Sequence, residues 1–144
     1  MENQKRETNV NRRGVLCGAA LIAMGFLPDA AEAATGITQS KAGKIVVDLN
    51  LNKSLAKVGG VVTIPLQDGS SIALLRKAAG TKGLIALNLS CTHQGVPVVM
   101  SGNSWVCPAH GSKFALTGAV TNGPAQAPLQ KYPLTATATK VTIG

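Results

Sequence analysis

The chain carries the segment Cys91-Thr92-His93-Gln94-Gly95 and, after an apolar hairpin, the segment Cys107-Pro108-Ala109-His110-Gly111-Ser112-Lys113-Phe114. These two segments hold both His residues of the sequence and two of its three Cys residues; the third is Cys17. Thiolate and imidazole groups are good ligands for transition metals such as zinc, copper and iron. Side chains suited to metal binding are therefore concentrated in one part of the chain.

Composition alone leaves several kinds of site open. In an exported protein, Cys91 and Cys107 could form a disulfide, which is the first interpretation by composition, and a Cys₂His₂ zinc site is the second. In zinc sites, however, the paired Cys residues usually share one loop and the paired His residues another. Here each loop supplies one Cys and one His, an arrangement that suits two metal ions. Gly95 and Gly111 follow the ligand triplets and allow backbone N–H groups to approach a metal-bound sulfur.

The two segments resemble the cluster-binding boxes of the Rieske iron–sulfur proteins. The resemblance spans roughly residues 84–134 and includes Gly123-Pro124-Ala125, which is similar to the proline loop that covers the cluster in that family. A Rieske [2Fe–2S] centre has Cys ligands on one iron and His ligands on the other. The resemblance therefore implies a [2Fe–2S] cofactor, with iron ligands drawn from four residues: Cys91, His93, Cys107 and His110.

One further residue and the fold follow from the same resemblance. Ser112 is a candidate hydrogen-bond donor to a bridging sulfide of the cluster. The family fold has three antiparallel sheets, with a small cluster-binding subdomain inserted in a larger base domain. The resemblance implies that this subdomain covers about residues 90–116.

The sequence outside the boxes predicts an all-β protein, because short apolar runs alternate with turn residues and no segment has a helical period. In the run that precedes the first box, Ile85, Leu87 and Leu89 share one face, so this strand should lead from the core directly to Cys91. The predicted strands cover residues 45–49, 61–66, 72–76, 84–89, 96–100, 104–107, 129–134 and 137–143.

The N-terminal residues have the order of an export signal. A polar, basic segment at 1–13 is followed by an apolar run at 14–27 and by Ala31-Glu32-Ala33. The apolar run has 14 residues, fewer than the roughly 20 that span a bilayer. We predict cleavage after Ala33, a polar linker at 34–43 and a Rieske domain at 44–144. A retained membrane anchor is the alternative.

The pair Arg12-Arg13 before the apolar run resembles a twin-arginine export signal. Val15 and Cys17 replace the Phe and Lys that are usual in such signals, and Cys17 is read as an apolar member of the signal. Twin-arginine export carries folded proteins, often with a cofactor loaded in the cytoplasm. The sequence therefore predicts a periplasmic protein or one on the outer face of the cytoplasmic membrane.

The formal net charge is +8, and residues 34–144 alone carry ten Lys and Arg residues against Asp48 and Asp68. This charge is compatible with nucleic acid, an anionic membrane surface or an acidic protein. The basic residues are spread along the chain without an Arg-rich run or an aromatic platform, which argues against nucleic acid. We expect an acidic redox partner, with membrane contact only if the apolar run is retained as an anchor.

Three positions depart from the high-potential members of the family, which oxidise quinols. Those members carry an extra Cys in each box, and the pair forms a disulfide; the matching residues here are Val96 and Ala109. They also place a Tyr hydroxyl near a ligand sulfur, where this chain has Phe114. Hydrogen bonds to the sulfurs raise the potential. We therefore expect a value below the top of the family range of about −150 to +300 mV.

The leading functional interpretation is an exported one-electron carrier, or the iron–sulfur subunit of a larger redox complex, with no catalytic residues of its own. The alternatives are a quinol-oxidising subunit of a cytochrome bc-type complex, a ferredoxin component of an oxygenase and, more remotely, a structural zinc domain. A catalytic oxygenase subunit would need a second iron site, typically two His and a carboxylate. Both His residues of this chain are already assigned to the cluster.

Overall fold

The structure, a computed structural model, describes residues 32–144. Within this range helix occurs only as two short 3₁₀ helices, Lys53–Ala56 and Thr81–Gly83. The strands are, in chain order, β1 (Glu32–Ala33), β2 (Ile37–Gln39), β3 (Ile45–Asp48), β4 (Val61–Pro65), β5 (Ser71–Arg76), β6 (Leu84–Asn88), β7 (Val99–Ser101), β8 (Ser104–Val106), β9 (Lys113–Ala115), β10 (Val120–Asn122), β11 (Lys131–Tyr132), β12 (Leu134–Ala136) and β13 (Lys140–Ile143).

The predicted all-β class is confirmed. Most of the predicted export signal, with Arg12, Arg13 and Cys17, lies outside the described residues. No helix within the described part of the chain is both long enough and apolar enough to span a membrane.

A five-stranded sheet forms the centre of the base domain, in the order β1-β4-β5-β6-β11. Its pairings are antiparallel except that β1 runs parallel to β4. Both faces of this sheet are buried, because neighbouring residues of one strand, such as Leu74 and Leu75, belong to two different cores. The predicted shared face of Ile85, Leu87 and Leu89 is confirmed, since all three pack in the same core.

One face of the central sheet is covered by a four-stranded sheet in the order β12-β13-β3-β2. Ile45, Val47, Val141 and Ile143 of this second sheet are buried in one core with residues of the central sheet such as Leu74. The two sheets together make the base domain.

The other face packs against the sheet β10-β9-β8-β7, whose four strands lie between β6 and β11 in the sequence. Trp105 and Phe114 of this sheet share a core with Leu75 and Leu87 of the base. The predicted architecture, a small subdomain inserted in a larger base, is therefore confirmed. The inserted subdomain has no separate core, so its position depends on packing against the base.

Several strand bounds differ from the sequence prediction. Within 34–43, where the sequence predicts a polar linker, Ile37–Gln39 form β2 and pair with β3. The predicted strand 96–100 begins only at Val99, because Val96 and Pro97 belong to the first box, and Pro97 makes just an isolated bridge to Ser90.

The last two predicted strands are three in the structure. Pro133 separates β11 from β12, as expected for a residue that cannot donate a ladder hydrogen bond. A turn separates β12 from β13, and the Thr137 hydroxyl accepts a hydrogen bond from the Lys140 N–H across it (3.0 Å). Strands β9 and β10 were not predicted. Each has three residues, too few for a clear alternating pattern.

Candidate metal centre

The first box forms a tight loop directly after β6. The Cys91 N–H donates to the Val96 carbonyl (2.8 Å), and the Gly95 N–H donates to the Cys91 carbonyl (2.7 Å). Gly95 has φ of 73°, a value that residues with a Cβ rarely adopt. The loop therefore turns back on itself within five residues and holds its backbone close to Cys91.

The second box, between β8 and β9, repeats this hydrogen-bond pattern. The Cys107 N–H donates to the Ser112 carbonyl (2.8 Å), and the Gly111 N–H donates to the Cys107 carbonyl (3.0 Å). Gly111 has φ of 77°. The spacing between Cys and His differs between the two loops, but their backbone hydrogen bonds are the same. In each loop the Cys is the first residue.

The two Cys side chains lie on the buried side of these loops. Cys91 and Cys107 are each 2% exposed, belong to the same core and are both free thiols. Burial raises the pKa of the Cys107 thiol, but hydrogen bonds from the backbone N–H groups of Ala109 and His110 and from the Cys91 side chain outweigh it. The pKa of Cys107 is therefore held below its usual value. N–H groups aimed at a sulfur stabilise a thiolate, the form that binds metals.

The two His side chains lie on the exposed side. Their ring centroids are 5.0 Å apart and the ring planes meet at 85°. Both His93 and His110 are exposed. The structure therefore brings the predicted ligands together as two pairs, thiols inside and imidazoles outside. Among residues 32–144 no group of three or more His, Cys, Asp or Glu side chains is arranged to hold a single metal ion.

A third segment, the loop after β10, closes over both boxes. The Ala125 N–H donates to the Ser112 hydroxyl oxygen (3.0 Å), and Ser112 is fully buried. The Thr92 hydroxyl donates to the Ala127 carbonyl (2.6 Å). The Asn122 side-chain amide donates to the Gly111 carbonyl (3.4 Å). The segment that resembles the proline loop is thus hydrogen-bonded to the second box, and Ala127, two residues beyond it, accepts a hydrogen bond from the first box.

The sequence prediction did not include Thr92 or Asn122. Thr92 lies between two predicted ligands in the chain, so its position was a usable signal. Asn122 had no comparable signal, because its contact with the second box depends on the pairing of β10 with β9.

The residues present fit a two-iron cluster. Two buried thiols can serve one iron and two exposed imidazoles the other, in accordance with the ligand set of such centres. The Ser112 oxygen already accepts a hydrogen bond from Ala125, so its O–H remains available to donate towards the site. The fully buried Phe114 offers no polar atom. The disulfide interpretation is not supported, because Cys91 and Cys107 are free.

Comparison with known proteins supports the same cofactor. The family model described as Rieske [2Fe-2S] domain matches residues 51–133, more than half of the chain. The cytochrome b6-f complex iron-sulfur subunit of Chlorobaculum thiosulfatiphilum is 43% identical over 51 residues, which are 34% of this chain and 28% of that protein.

The corresponding subunit of Prochlorococcus marinus (strain AS9601) is 32% identical over 123 residues, covering 78% of this chain and 65% of that protein. The chain therefore spans less than two thirds of the length of either relative. Among solved structures, the quaternary ammonium Rieske monooxygenase CntA superposes with a TM-score of 0.51 and 20% identity. That match covers 65% of this chain and 30% of CntA, and it supports the fold alone.

Proposed function

The chain belongs to the Rieske [2Fe-2S] domain family, and on this premise we propose that it transfers single electrons through a [2Fe–2S] cluster. It would act as an exported electron carrier or as the iron–sulfur subunit of a larger redox complex. The observation that carries the proposal is the pairing of two buried thiols with two exposed imidazoles at one site.

We assign the ligands by position. Cys91 and Cys107 would bind the inner iron, and His93 and His110 would bind the outer iron. When bound, the cluster supplies one-electron redox chemistry. Burial of Cys91 and Cys107 keeps water from the thiolates, while the exposed imidazoles give a partner protein the shortest approach. Ser112 would donate a hydrogen bond to a bridging sulfide.

The domain division and the location are part of the proposal. Residues 1–33 would be a twin-arginine-like signal, 34–43 a linker and 44–144 the Rieske domain, with the cluster subdomain at about 90–116. Export would place the protein in the periplasm or on the outer face of the cytoplasmic membrane. Support comes from the order of basic, apolar and A-x-A segments. Cleavage after Ala33 would remove β1.

A second candidate is the quinol-oxidising subunit of a cytochrome bc-type complex. It is favoured by the two relatives, which are named as iron–sulfur subunits of cytochrome b6-f complexes. The positions Val96 and Ala109 weigh against it, because they cannot form a disulfide between the boxes. Phe114 weighs against it as well, because it cannot donate to a sulfur.

The proposed function is tested on the purified full chain by metal and sulfide analysis and by electron paramagnetic resonance after reduction. We expect a brown protein with iron, acid-labile sulfide and a paramagnetic signal that appears only in the reduced state. A colourless protein that contains zinc and no sulfide would overturn the proposal.

Phe114→Tyr should raise the reduction potential by about 40 mV. Phe114 is fully buried in the same core as both Cys ligands. A new hydroxyl that donates to a sulfur favours the reduced, more negative cluster. A hydrogen bond of about 1 kcal/mol corresponds to roughly 40 mV for one electron. The measurement is a redox titration of both proteins under identical conditions.

Two variants control this result. Ser112→Ala removes the proposed donor and should lower the potential by a similar amount. Phe114→Leu adds no donor and should leave it nearly unchanged. An unaltered potential in Phe114→Tyr, with iron and sulfide at the level of the unmodified protein, would contradict the prediction.

A further inference from the structure

Five basic residues lie together at one end of the central sheet. Lys53 and Lys57 belong to the loop before β4, and Lys77 and Lys82 belong to the turn between β5 and β6. All four lysines are exposed, while Arg76 is half-buried between the two loops. We call this surface, residues 51–60 and 76–83, the basic end. It contains no Asp or Glu.

Arg76 holds the two loops of the basic end together. Its backbone accepts a hydrogen bond from the Gly59 N–H (2.7 Å) and donates one to the Gly60 carbonyl (3.0 Å). Its guanidinium donates to the Leu55 carbonyl in one loop and to the Gly80 carbonyl (2.8 Å) in the other. The positive charges are therefore carried on a connected surface and not on two independent loops.

Gly60 shows how closely the first loop is packed. A Cβ on this residue would lie 1.7 Å from the Ser54 carbonyl oxygen, so only glycine fits there without a backbone shift. The lysines of this loop consequently project from a well-supported backbone.

Exposed aliphatic side chains stand among these charges. Leu51 is 60% exposed and Val58 is 62% exposed. In the part of the chain that the structure describes, the only other large aliphatic or aromatic side chain of comparable exposure is Val99, at 53%, in the cluster subdomain. Exposed apolar side chains that are rimmed by polar ones mark protein or membrane interaction surfaces, and basic side chains are attracted to anionic lipid headgroups.

The strand directions set the basic end apart from the metal centre. Leu84 pairs with Arg76 at the basic end, and β6 runs from there towards Cys91. Leu84 and Cys91 are seven residue steps apart, which corresponds to about 23 Å along an extended chain. The exposed His pair therefore lies at the far end of the molecule from the basic end.

We propose that the basic end is a docking surface for an anionic lipid bilayer. Its cations attract acidic headgroups, Leu51 and Val58 enter the interface between headgroups and acyl chains, and the His pair faces away from the membrane. An acidic protein would also match the charge. The bilayer is preferred because the exposed aliphatic side chains of Leu51 and Val58 lie within the basic end. The inference does not depend on the cluster.

The test is vesicle co-sedimentation of the full chain with phosphatidylcholine vesicles and with vesicles of phosphatidylcholine and phosphatidylglycerol. The readout is the partition coefficient for the anionic vesicles divided by that for the phosphatidylcholine vesicles. Purely apolar binding by the N-terminal segment contributes to both coefficients and therefore largely cancels in this ratio. We expect the unmodified protein to prefer the anionic vesicles. Lys53→Glu/Lys57→Glu should lower the ratio roughly 20-fold or more.

The matched control is Lys41→Glu/Lys44→Glu, which changes the net charge equally. Lys41 and Lys44 are exposed in the β2–β3 turn. This turn lies beside the β4–β5 turn, because Ser40 and Gly43 share a surface groove with Leu66 and Gln67. The β4–β5 turn is at the opposite end of the central sheet from Arg76. The control should keep the ratio within about twofold, in accordance with the short range of surface charge effects.

Val58→Ser tests the aliphatic contribution, with Val99→Ser as its control in the cluster subdomain. Only Val58→Ser should weaken binding to the anionic vesicles. The proposal would be overturned if the ratio of partition coefficients fell equally in Lys53→Glu/Lys57→Glu and Lys41→Glu/Lys44→Glu, or if it fell in neither variant. It would also be overturned by an unmodified protein that shows no preference for anionic vesicles but binds immobilised polyglutamate, because that result assigns the basic end to a protein partner.

Discussion

Cys107→Ala should abolish cluster binding, so that the purified protein is colourless and contains almost no iron or acid-labile sulfide. The Cys107 sulfur is buried and accepts hydrogen bonds from two backbone N–H groups of its own loop, a setting that favours the thiolate. Alanine offers no ligand atom and leaves these N–H groups without their acceptor. Cys91→Ala should have the same effect, because Cys91 holds the equivalent place in the first box.

Two controls separate the loss of a ligand from a general effect of substitution. Cys17→Ala removes the third Cys of the sequence and should leave the iron and sulfide content unchanged. Val98→Ala truncates a side chain that is 4% exposed in the same core and supplies no ligand; it should also retain iron. Full iron and sulfide in Cys107→Ala would contradict the ligand assignment. Far-ultraviolet circular dichroism of each variant shows whether its sheets are intact.

Trp105→Ala should lower the free energy of unfolding by about 3–5 kcal/mol. Trp105 is 1% exposed and lies in the core that the cluster subdomain shares with the base. An open surface groove of about 360 Å³ lies beside Trp105 and is lined also by base residues such as Ser71. The loss is a large part of the 5–15 kcal/mol that stabilises a typical domain. The subdomain should therefore detach and release its cluster at a lower temperature.

This prediction is checked by denaturant unfolding followed by circular dichroism and by thermal loss of the visible absorbance of the cluster. Trp105→Phe loses the hydrogen bond from the indole N–H to the Leu116 carbonyl (3.3 Å) but keeps an aromatic ring in the core. It should therefore lower the free energy of unfolding less than Trp105→Ala does. Val99→Ala, in the same sheet but 53% exposed, should change stability by less than about 0.5 kcal/mol. Equal stability of Trp105→Ala and Val99→Ala would show that the two parts of the molecule are not coupled through Trp105.

The local sequence was sufficient to predict the features that depend on residues adjacent in the chain. The one-face pattern of Ile85, Leu87 and Leu89 predicted a strand that leads from the core to Cys91, because side chains alternate along a strand. The positive φ values of Gly95 and Gly111 are also local, since a chain that turns back within five residues needs a residue without a Cβ.

The features that the sequence prediction missed are those with little local pattern. Strands β2, β9 and β10 have three residues each and exist because a neighbouring strand pairs with them. The hydrogen bond from Thr92 to the Ala127 carbonyl joins residues 35 positions apart, which no spacing rule relates. Such contacts are decided by how sheets pack and not by the composition of either segment.

The sequence by itself indicated the kind of centre, because its two Cys–His boxes resemble those of the Rieske proteins, and that resemblance implies a [2Fe–2S] cluster before any fold is known. It also determined the net charge. Only the tertiary structure decided that the thiols face the core while the imidazoles face solvent. It also decided that five cations gather where β4 and β6 begin, far from Cys91. The physical reason is that the charge of a side chain and its ability to bind a metal belong to a single residue. The neighbours of that side chain and its exposure depend on strand pairing between distant segments.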